Sequence, residues 1–295
     1  MESVLRTFKL SKQFGALKAV NDLNIEVPKG SVYGILGPNG SGKTTTLGIL
    51  LDVIPATTGI FKWFNQDPTP QHRQRIGSIL ETPNFYGYLS AERNLRISAE
   101  IKGIPYSDIE RVLQLVNLYD RKDSKFKYFS LGMKQRLSIA AALLGKPEVL
   151  ILDEPTNGLD PQGIFEIREL IHRAAADGMT IIMASHMLDE VEKICTDVAI
   201  IKNGTLLIQG RVSDILTDGN LIEVQATDMT QLYVALRDHS AVTDVTRELD
   251  KYVVRFNTEI PNDQLNRYLF EKGIALTHLA GRRKNLETQF LEITN

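Results

Sequence analysis

Gly37-Pro38-Asn39-Gly40-Ser41-Gly42-Lys43-Thr44-Thr45 follows directly on the short apolar run Val32-Tyr33-Gly34-Ile35-Leu36. The spacing is G-x-x-x-x-G-K-[ST], with a strand in front and a helix-compatible run from Thr45 to Leu51 behind, the pattern of a phosphate-binding loop. Glycines let successive backbone N–H groups turn inward around a phosphate chain, and the helix start adds partial positive charge. Lys43 is then placed to reach the β- and γ-phosphates, and the Thr44 hydroxyl to ligate Mg²⁺. A glycine-rich turn that matched by chance would not bring the strand and the helix with it. The loop predicts nucleotide binding and leaves open what the nucleotide is used for.

The bulk properties bound the rest. A chain of 295 residues is long enough for one large domain and a small one. With 43% hydrophobic and 24% charged residues the composition is that of a soluble globular protein. The formal net charge of −2 provides no global basic field, so nucleic acid is not an expected partner, although a local basic patch stays open. A single cysteine, Cys195, excludes a disulfide framework and fits a reducing compartment; it reads as a small apolar residue on a helix. Met1 to Leu10 lacks the apolar core of a signal peptide, and no run approaches the ~18 apolar residues of a spanning helix. The expectation is a chain that does not cross a membrane by itself, which leaves a membrane-bound partner open.

Alternating residues around Leu5 to Leu10 and Asn24 to Val27 read as strands, with Lys12 to Ala16 as a loop between them. From Ser90 to Asp120 the period changes: Ile109, Val112, Leu113 and Val116 recur at helical spacing, and Pro105 breaks the run. This predicts an inserted helical subdomain, about 84–145. Fully apolar runs then return at Val149 to Leu152 and Thr180 to Ala184, separated by helical stretches, which indicates a buried parallel sheet. Asn203-Gly204 between the apolar runs of Val198 to Gln209 predicts a hairpin. The boundary of the first domain is set at 218. Residues 219–295 read in the order β-α-β-β-α-β with a final helix, an α+β module that suggests a ferredoxin-like split β-α-β unit.

Glu148-Val149-Leu150-Ile151-Leu152-Asp153-Glu154-Pro155 is an apolar strand ending in two acids. A carboxylate at the C-terminal end of a parallel strand is where nucleotide-bound Mg²⁺ meets a sheet, so Asp153 is the expected metal-side ligand. Glu154 is the candidate general base for an attacking water; the alternative is a solvated strand end. Ser185-His186 ends the next apolar strand, and His186 is the histidine expected to contact the γ-phosphate. Ser130, before an alanine-rich helix, reads as a helix cap and, with Gly132, as a second anion-binding helix end.

Phosphate loop, Ser-x-Gly helix start, Leu-Asp-Glu-Pro, Gly158-Leu159-Asp160 and Ser185-His186, in this order, resemble the nucleotide-binding domain of an ABC transporter. The match covers residues 1 to about 215. The resemblance implies a cassette with a RecA-like core, an N-terminal antiparallel β subdomain and a helical subdomain. It implies ATP as substrate, with Phe14 stacking on adenine. It also implies a head-to-tail dimer of two copies, in which Ser130 and Gly132 of one copy face the phosphate loop of the other and Asp160 lies near the interface. Such a cassette hydrolyses ATP and works with separately encoded transmembrane permease subunits on the inner face of the membrane.

Two positions depart from the family's usual wording. The signature Leu-Ser-Gly-Gly-Gln is here Phe129-Ser130-Leu131-Gly132-Met133, and Glu81 stands in place of the lid glutamine, the alternative being a surface-loop acid. A carboxylate at Glu81 can still ligate Mg²⁺, and it adds a third negative charge near Asp153 and Glu154. Glu81-Thr82-Pro83 and Phe85-Tyr86-Gly87-Tyr88-Leu89 resemble cassettes of bacitracin- and lantibiotic-type self-protection exporters. The aromatic run either packs the helical subdomain or lines a groove for a membrane subunit. The expectation is therefore an exporter ATPase. A soluble ABC ATPase acting on ribosomes or DNA is the alternative, although the two cassettes or long coiled coils usual in that class are not visible.

Overall fold

The computed structural model describes residues 2–80, 84–258, 260–283 and 286–294. The chain forms two compact units that divide at 212/213. The first contains, in order, β1 (Ser3–Phe14), β2 (Leu17–Leu23), β3 (Glu26–Pro28), β4 (Val32–Leu36), α1 (Lys43–Leu50), β5 (Thr58–Trp63), α2 (Pro70–Gln74) and β6 (Ile76–Ile79). It continues through α3 (Ala91–Lys102), α4 (Asp108–Leu115), α5 (Leu131–Leu143), β7 (Val149–Asp153), α6 (Pro161–Ala176), β8 (Thr180–Ser185), α7 (Leu188–Ile194), β9 (Asp197–Lys202) and β10 (Thr205–Arg211).

β10, β9, β4, β8, β7 and β6 form one sheet in that order. All neighbours are parallel except β10, which turns back on β9. Every residue of β4, β7 and β8 is buried, as the unbroken apolar runs require when both faces are covered. A second, antiparallel sheet runs β2-β1-β3, with β5 also paired to β1. Its inner residues Leu5, Leu10, Val20 and Trp63 share one core with Leu47 and Leu50 of α1 and with Ile151 and Ile182 of the parallel sheet. Trp63 is fully buried and donates its indole N–H to the Leu50 carbonyl at 3.0 Å, fastening β5 to the helix behind the phosphate loop. The helices α3, α4 and α5 are inserted between β6 and β7, and α3 ends at Gly103 in the left-handed conformation just before Pro105.

One local expectation is corrected. Lys12 to Phe14 belong to β1 rather than to a loop, because Gly15, at φ +56, closes a tight hairpin in which Phe14 pairs with Leu17. The two compact units divide at 212/213, and α8 (Val212–Leu216) runs straight into β11 (Thr217–Ala226).

The second unit continues with α9 (Met229–Arg237), β12 (Val242–Glu248), β13 (Lys251–Phe256), α10 (Asn262–Glu271), β14 (Leu276–Arg283) and α11 (Leu286–Thr294). Its sheet is antiparallel in the order β12-β13-β11-β14. Two β-α-β halves interleaved in this way make the ferredoxin-like arrangement. It has its own core, with Val224, Leu232, Leu236, Val254, Phe256, Leu265 and Leu269 among its members. Among the described residues no helix is long and apolar enough to cross a membrane.

Candidate functional site

The loop after β4 is shaped by what presses on it. A Cβ on Gly37 would meet the Ile201 carbonyl oxygen at 2.2 Å, and one on Gly42 would meet the Ala19 carbonyl oxygen at 2.2 Å. Gly42 also caps α1 at φ +102, which only glycine adopts without strain. α1 therefore starts at Lys43, directly after the loop, and its first N–H groups open toward it. Lys43 is buried, and its ammonium donates to the carbonyls of Gly37 at 2.8 Å and Pro38 at 3.3 Å. Ser41 is 2% exposed, and its Oγ has no hydrogen-bond partner among the described residues. A buried hydroxyl with no partner is costly in a closed protein and is met by an oxygen-rich ligand such as a phosphate. Thr44 is exposed, while Thr45 is half-buried behind it.

The acidic strand end faces this loop. Glu154 Oε1 lies 3.5 Å from Lys43 Nζ, and Glu154 Oε2 lies 2.9 Å from His186 Nδ1. β7, β8 and α1 thus bring three expected residues into one contact chain. A proton on His186 Nδ1 donates to the carboxylate, so the imidazole aims the acid. His186 touches Glu154 itself, a contact that the sequence reading, centred on the γ-phosphate, did not include. Glu154 has φ +47, and its backbone N–H donates to Ala184 of β8 at 3.0 Å. Asp153, the last residue of β7, is 4% exposed. The Lys43–Glu154 contact brings its strand end and the Thr44 helix start to the same place.

No group of three or more His, Cys, Asp or Glu among the described residues forms a metal cage. Mg²⁺ on a nucleotide takes one or two protein oxygens besides phosphates and water, and a hydroxyl plus a carboxylate of this kind suits it. Glu81 lies outside the described residues.

Ser130 and Asp160 are both helix caps. Ser130 Oγ accepts from the Met133 N–H at 3.2 Å and starts α5; Asp160 Oδ1 accepts from the Gly163 N–H at 2.9 Å and starts α6. The capping role of Asp160 was not read from the sequence, although Asp before Pro161 carries the signal. The two helix starts touch: a Cβ on Gly132 would lie 3.9 Å from Gly163 Cα, and one on Gly158 3.4 Å from Leu131 Cδ2. Tyr128, Leu131 and Phe165 around them are 72%, 47% and 52% exposed, an apolar set left in water by a single chain.

Phe14 is half-exposed at the β1–β2 hairpin, with Lys12 Nζ 4.9 Å from its ring centroid. The aromatic run divides. Phe85 meets Phe126 edge-on at 5.2 Å inside the helical insertion, while Tyr86 and Tyr88, 5.8 Å apart, are mostly exposed. Asn94, which the sequence reading missed, holds this run: it is 1% exposed, accepts from the Tyr86 N–H at 2.9 Å and donates to the Tyr86 carbonyl at 3.2 Å. Phe85 also borders a cavity of about 300 Å³ with Ile79, Leu80, Ile101 and Lys102. Cys195 is buried against β4, and that burial, with Asp197 nearby, pushes its thiol up, so it is no nucleophile.

Comparison with known proteins points the same way. Residues 20–157 match the family model described as ABC transporter. The chain is 40% identical to the bacitracin transport ATP-binding protein BcrA of Bacillus licheniformis, over 99% of this chain and 98% of that protein. It is also 40% identical to the lantibiotic transport ATP-binding protein SrtF of Streptococcus pyogenes, over 70% of this chain and 90% of that one. Among solved structures, an ATP-binding cassette of an ABC transporter in its ADP conformation superposes with a TM-score of 0.68 at 25% identity, covering 79% of this chain and 99% of that one. A component of an ABC transporter complex from Clostridium perfringens gives 0.67 at 28% identity, covering 73% of this chain and 91% of that one.

Proposed function

This chain belongs to the ABC transporter family, as an ATP-binding, ATP-hydrolysing subunit, and we propose that it powers export through separately encoded membrane subunits. The observation that carries the export reading is the similarity to the bacitracin protein along nearly the whole chain, second unit included. The names of the relatives favour transport over action on ribosomes or DNA. In this reading the chain sits on the inner face of the cell membrane, held there by its partners. The exposed Tyr86 and Tyr88, which follow the cavity-lining Phe85 in sequence, offer contact area to a membrane subunit. Residues 1–218 form the ATPase domain, and 219–295 are an accessory domain.

Two copies close head to tail, and the exposed Tyr128, Leu131 and Phe165 around the two helix caps suit burial against a second copy. In the closed pair Ser130 and Gly132 present a helix N-terminus to the γ-phosphate held by the other copy's loop, with Asp160 near the interface. Phe14 stacks on the adenine. Within each copy Gly37 to Gly42 wrap the phosphates, and Lys43 leaves the loop carbonyls for the β- and γ-oxygens. Thr44 and Asp153 hold Mg²⁺, with Glu81 as a further ligand on sequence grounds. The ion supplies neutralisation of phosphate charge. Glu154 takes the proton of the attacking water, and His186 keeps its carboxylate aimed and reaches the γ-phosphate.

The test is co-expression of the full chain with the membrane protein encoded beside it, followed by purification from detergent extracts. The expected result is a stable complex whose ATPase rate exceeds that of the isolated chain. Absence of association with every neighbouring membrane protein refutes the transport reading.

A further inference from the structure

Asn203-Gly204 turns β9 into β10, with Asn203 at φ +50 and Gly204 at φ +77, as a tight hairpin needs. A hairpin tip needs nothing else around it, yet this one is held on two sides. The Gly204 N–H donates to the Ser41 carbonyl at 2.9 Å, and the Asn21 N–H donates to the Gly204 carbonyl at 2.8 Å. A Cβ on Gly204 would lie 2.8 Å from the Ala19 carbonyl oxygen and 3.1 Å from Val20 Cα. The turn is wedged between the phosphate loop and β2 more closely than a side chain permits.

The consequence lies in the Ser41–Gly42 peptide. In a trans peptide the C=O and N–H point to opposite sides. With the Ser41 carbonyl held by Gly204, the Gly42 N–H is directed away from the hairpin, the side on which the nucleotide reading puts the phosphates. Gly42, at φ +102 and without a Cβ, leaves that peptide a second orientation on steric grounds. Rotation would aim a carbonyl at the phosphates and remove a donor from them. The Ser41 side chain does not secure the peptide, since its Oγ makes no hydrogen bond among the described residues. The geometry points to Gly204 as a positioning residue of the nucleotide site: its N–H orients the Ser41–Gly42 peptide and thereby sets affinity for the phosphate chain. This rests on the nucleotide reading of the loop.

Mg-ATP binding to the full chain is measured by calorimetry, together with steady-state KM and kcat. Gly204→Ala is expected to weaken binding and raise KM on the order of tenfold while kcat at saturation holds within about twofold, as when binding common to ground and transition states is lost. Gly178→Ala is the control. Gly178 has φ +87 and nothing within 4 Å of its Cβ position, and it precedes β8 at the opposite end of the sheet. It carries the same backbone strain without touching the loop, so its affinity should match wild type. Unchanged affinity in Gly204→Ala, or an equal loss in Gly178→Ala, overturns the proposal.

Should Gly204→Ala fail to fold, amide exchange in the wild-type chain decides. The Gly204 N–H should be protected and more so with Mg-ATP; free exchange indifferent to nucleotide overturns it. Lys43→Ala separates the two readings. If it leaves Mg-ATP affinity unchanged, the nucleotide reading fails. If it weakens affinity and Gly204→Ala does not, only the positioning role fails.

Discussion

Glu154 is a carboxylate in a conformation that glycine or asparagine usually takes. Its φ of +47 costs about 1–2 kcal/mol for a residue with a Cβ. The strain persists because the backbone is tied on both sides, its N–H to Ala184 at 3.0 Å and its carbonyl to the Asn157 N–H at 3.1 Å. The gain is direction: the side chain stands between Lys43 and His186 instead of continuing the strand. Glu154→Gln keeps the shape and removes the proposed proton acceptor. Turnover should fall by about 10²–10⁴-fold, while Mg-ATP affinity stays near wild type. Hydrolysis at more than a tenth of the wild-type rate would remove Glu154 as the base. The phosphate loop was legible in the sequence because its chemistry is local, six residues of fixed spacing between a strand and a helix. The contact of Glu154 with Lys43 was not, since it depends on how β7 meets α1 across β8. Asn94 escaped for another reason: it acts on backbone groups of Tyr86, and a single buried asparagine on a helix carries no spacing signal.

Among the elements, the join between α4 and α5 shows how a helical insertion keeps its shape. Asp108, in the first turn of α4, accepts from Arg111 Nε at 2.6 Å and from the Gly145 N–H at 2.9 Å, just past the end of α5. Arg111 in turn donates to the Leu143 carbonyl at 2.9 Å, meeting one of the carbonyls that the end of α5 leaves unpaired. The Arg111 guanidinium, aided by the Gly145 N–H, holds the Asp108 carboxyl below the usual carboxylate range. Asp108→Asn should lower stability by roughly 1–2 kcal/mol at neutral pH, read from denaturant unfolding. The sign of the pH dependence follows. A depressed folded-state pKa stabilises above the unfolded value, near pH 4, and the benefit is lost as pH falls through the folded value. Wild type and variant should therefore converge below about pH 4. A gap that widens in acid contradicts the assignment. The strands of the parallel sheet were readable because burial on both faces leaves unbroken apolar runs, and the second unit because its strands and helices alternate cleanly. β1 past Leu10 was misread because Lys12 and Gln13 lie on the half-exposed hairpin, where no apolar alternation marks the strand. β2 and β5 gave no comparable signal, since their identity comes from pairing with β1, β2 along Leu10 to Phe14 and β5 along Leu5 to Ser11.

For the molecule as a whole, the proposed site is divided between copies, and that division has a testable arithmetic. On this proposal Lys43→Ala removes the phosphate ligand of the copy that carries it, and Ser130→Arg fills the helix start that the same copy lends to its partner. Each variant alone should be inactive as a homodimer. In a mixed dimer the two lesions fall in the same composite site. The other site then has an intact Lys43 from one copy and an intact Ser130 from the other. If copies exchange randomly, half the dimers are mixed and each has one good site, so about a quarter of wild-type sites return. Were Lys43 and Ser130 of one chain to serve the same nucleotide, every site in every mixture would carry a lesion, and mixing would restore nothing. The measurement is ATPase rate against mixing ratio at fixed total protein. A maximum at equal amounts supports the shared site, and a flat line at the level of the single variants refutes it. The exposed Tyr128, Leu131 and Phe165 predict a second outcome. Adding Leu131→Lys to the Ser130-intact partner should suppress the recovered rate, because a charge would then be buried where two copies close.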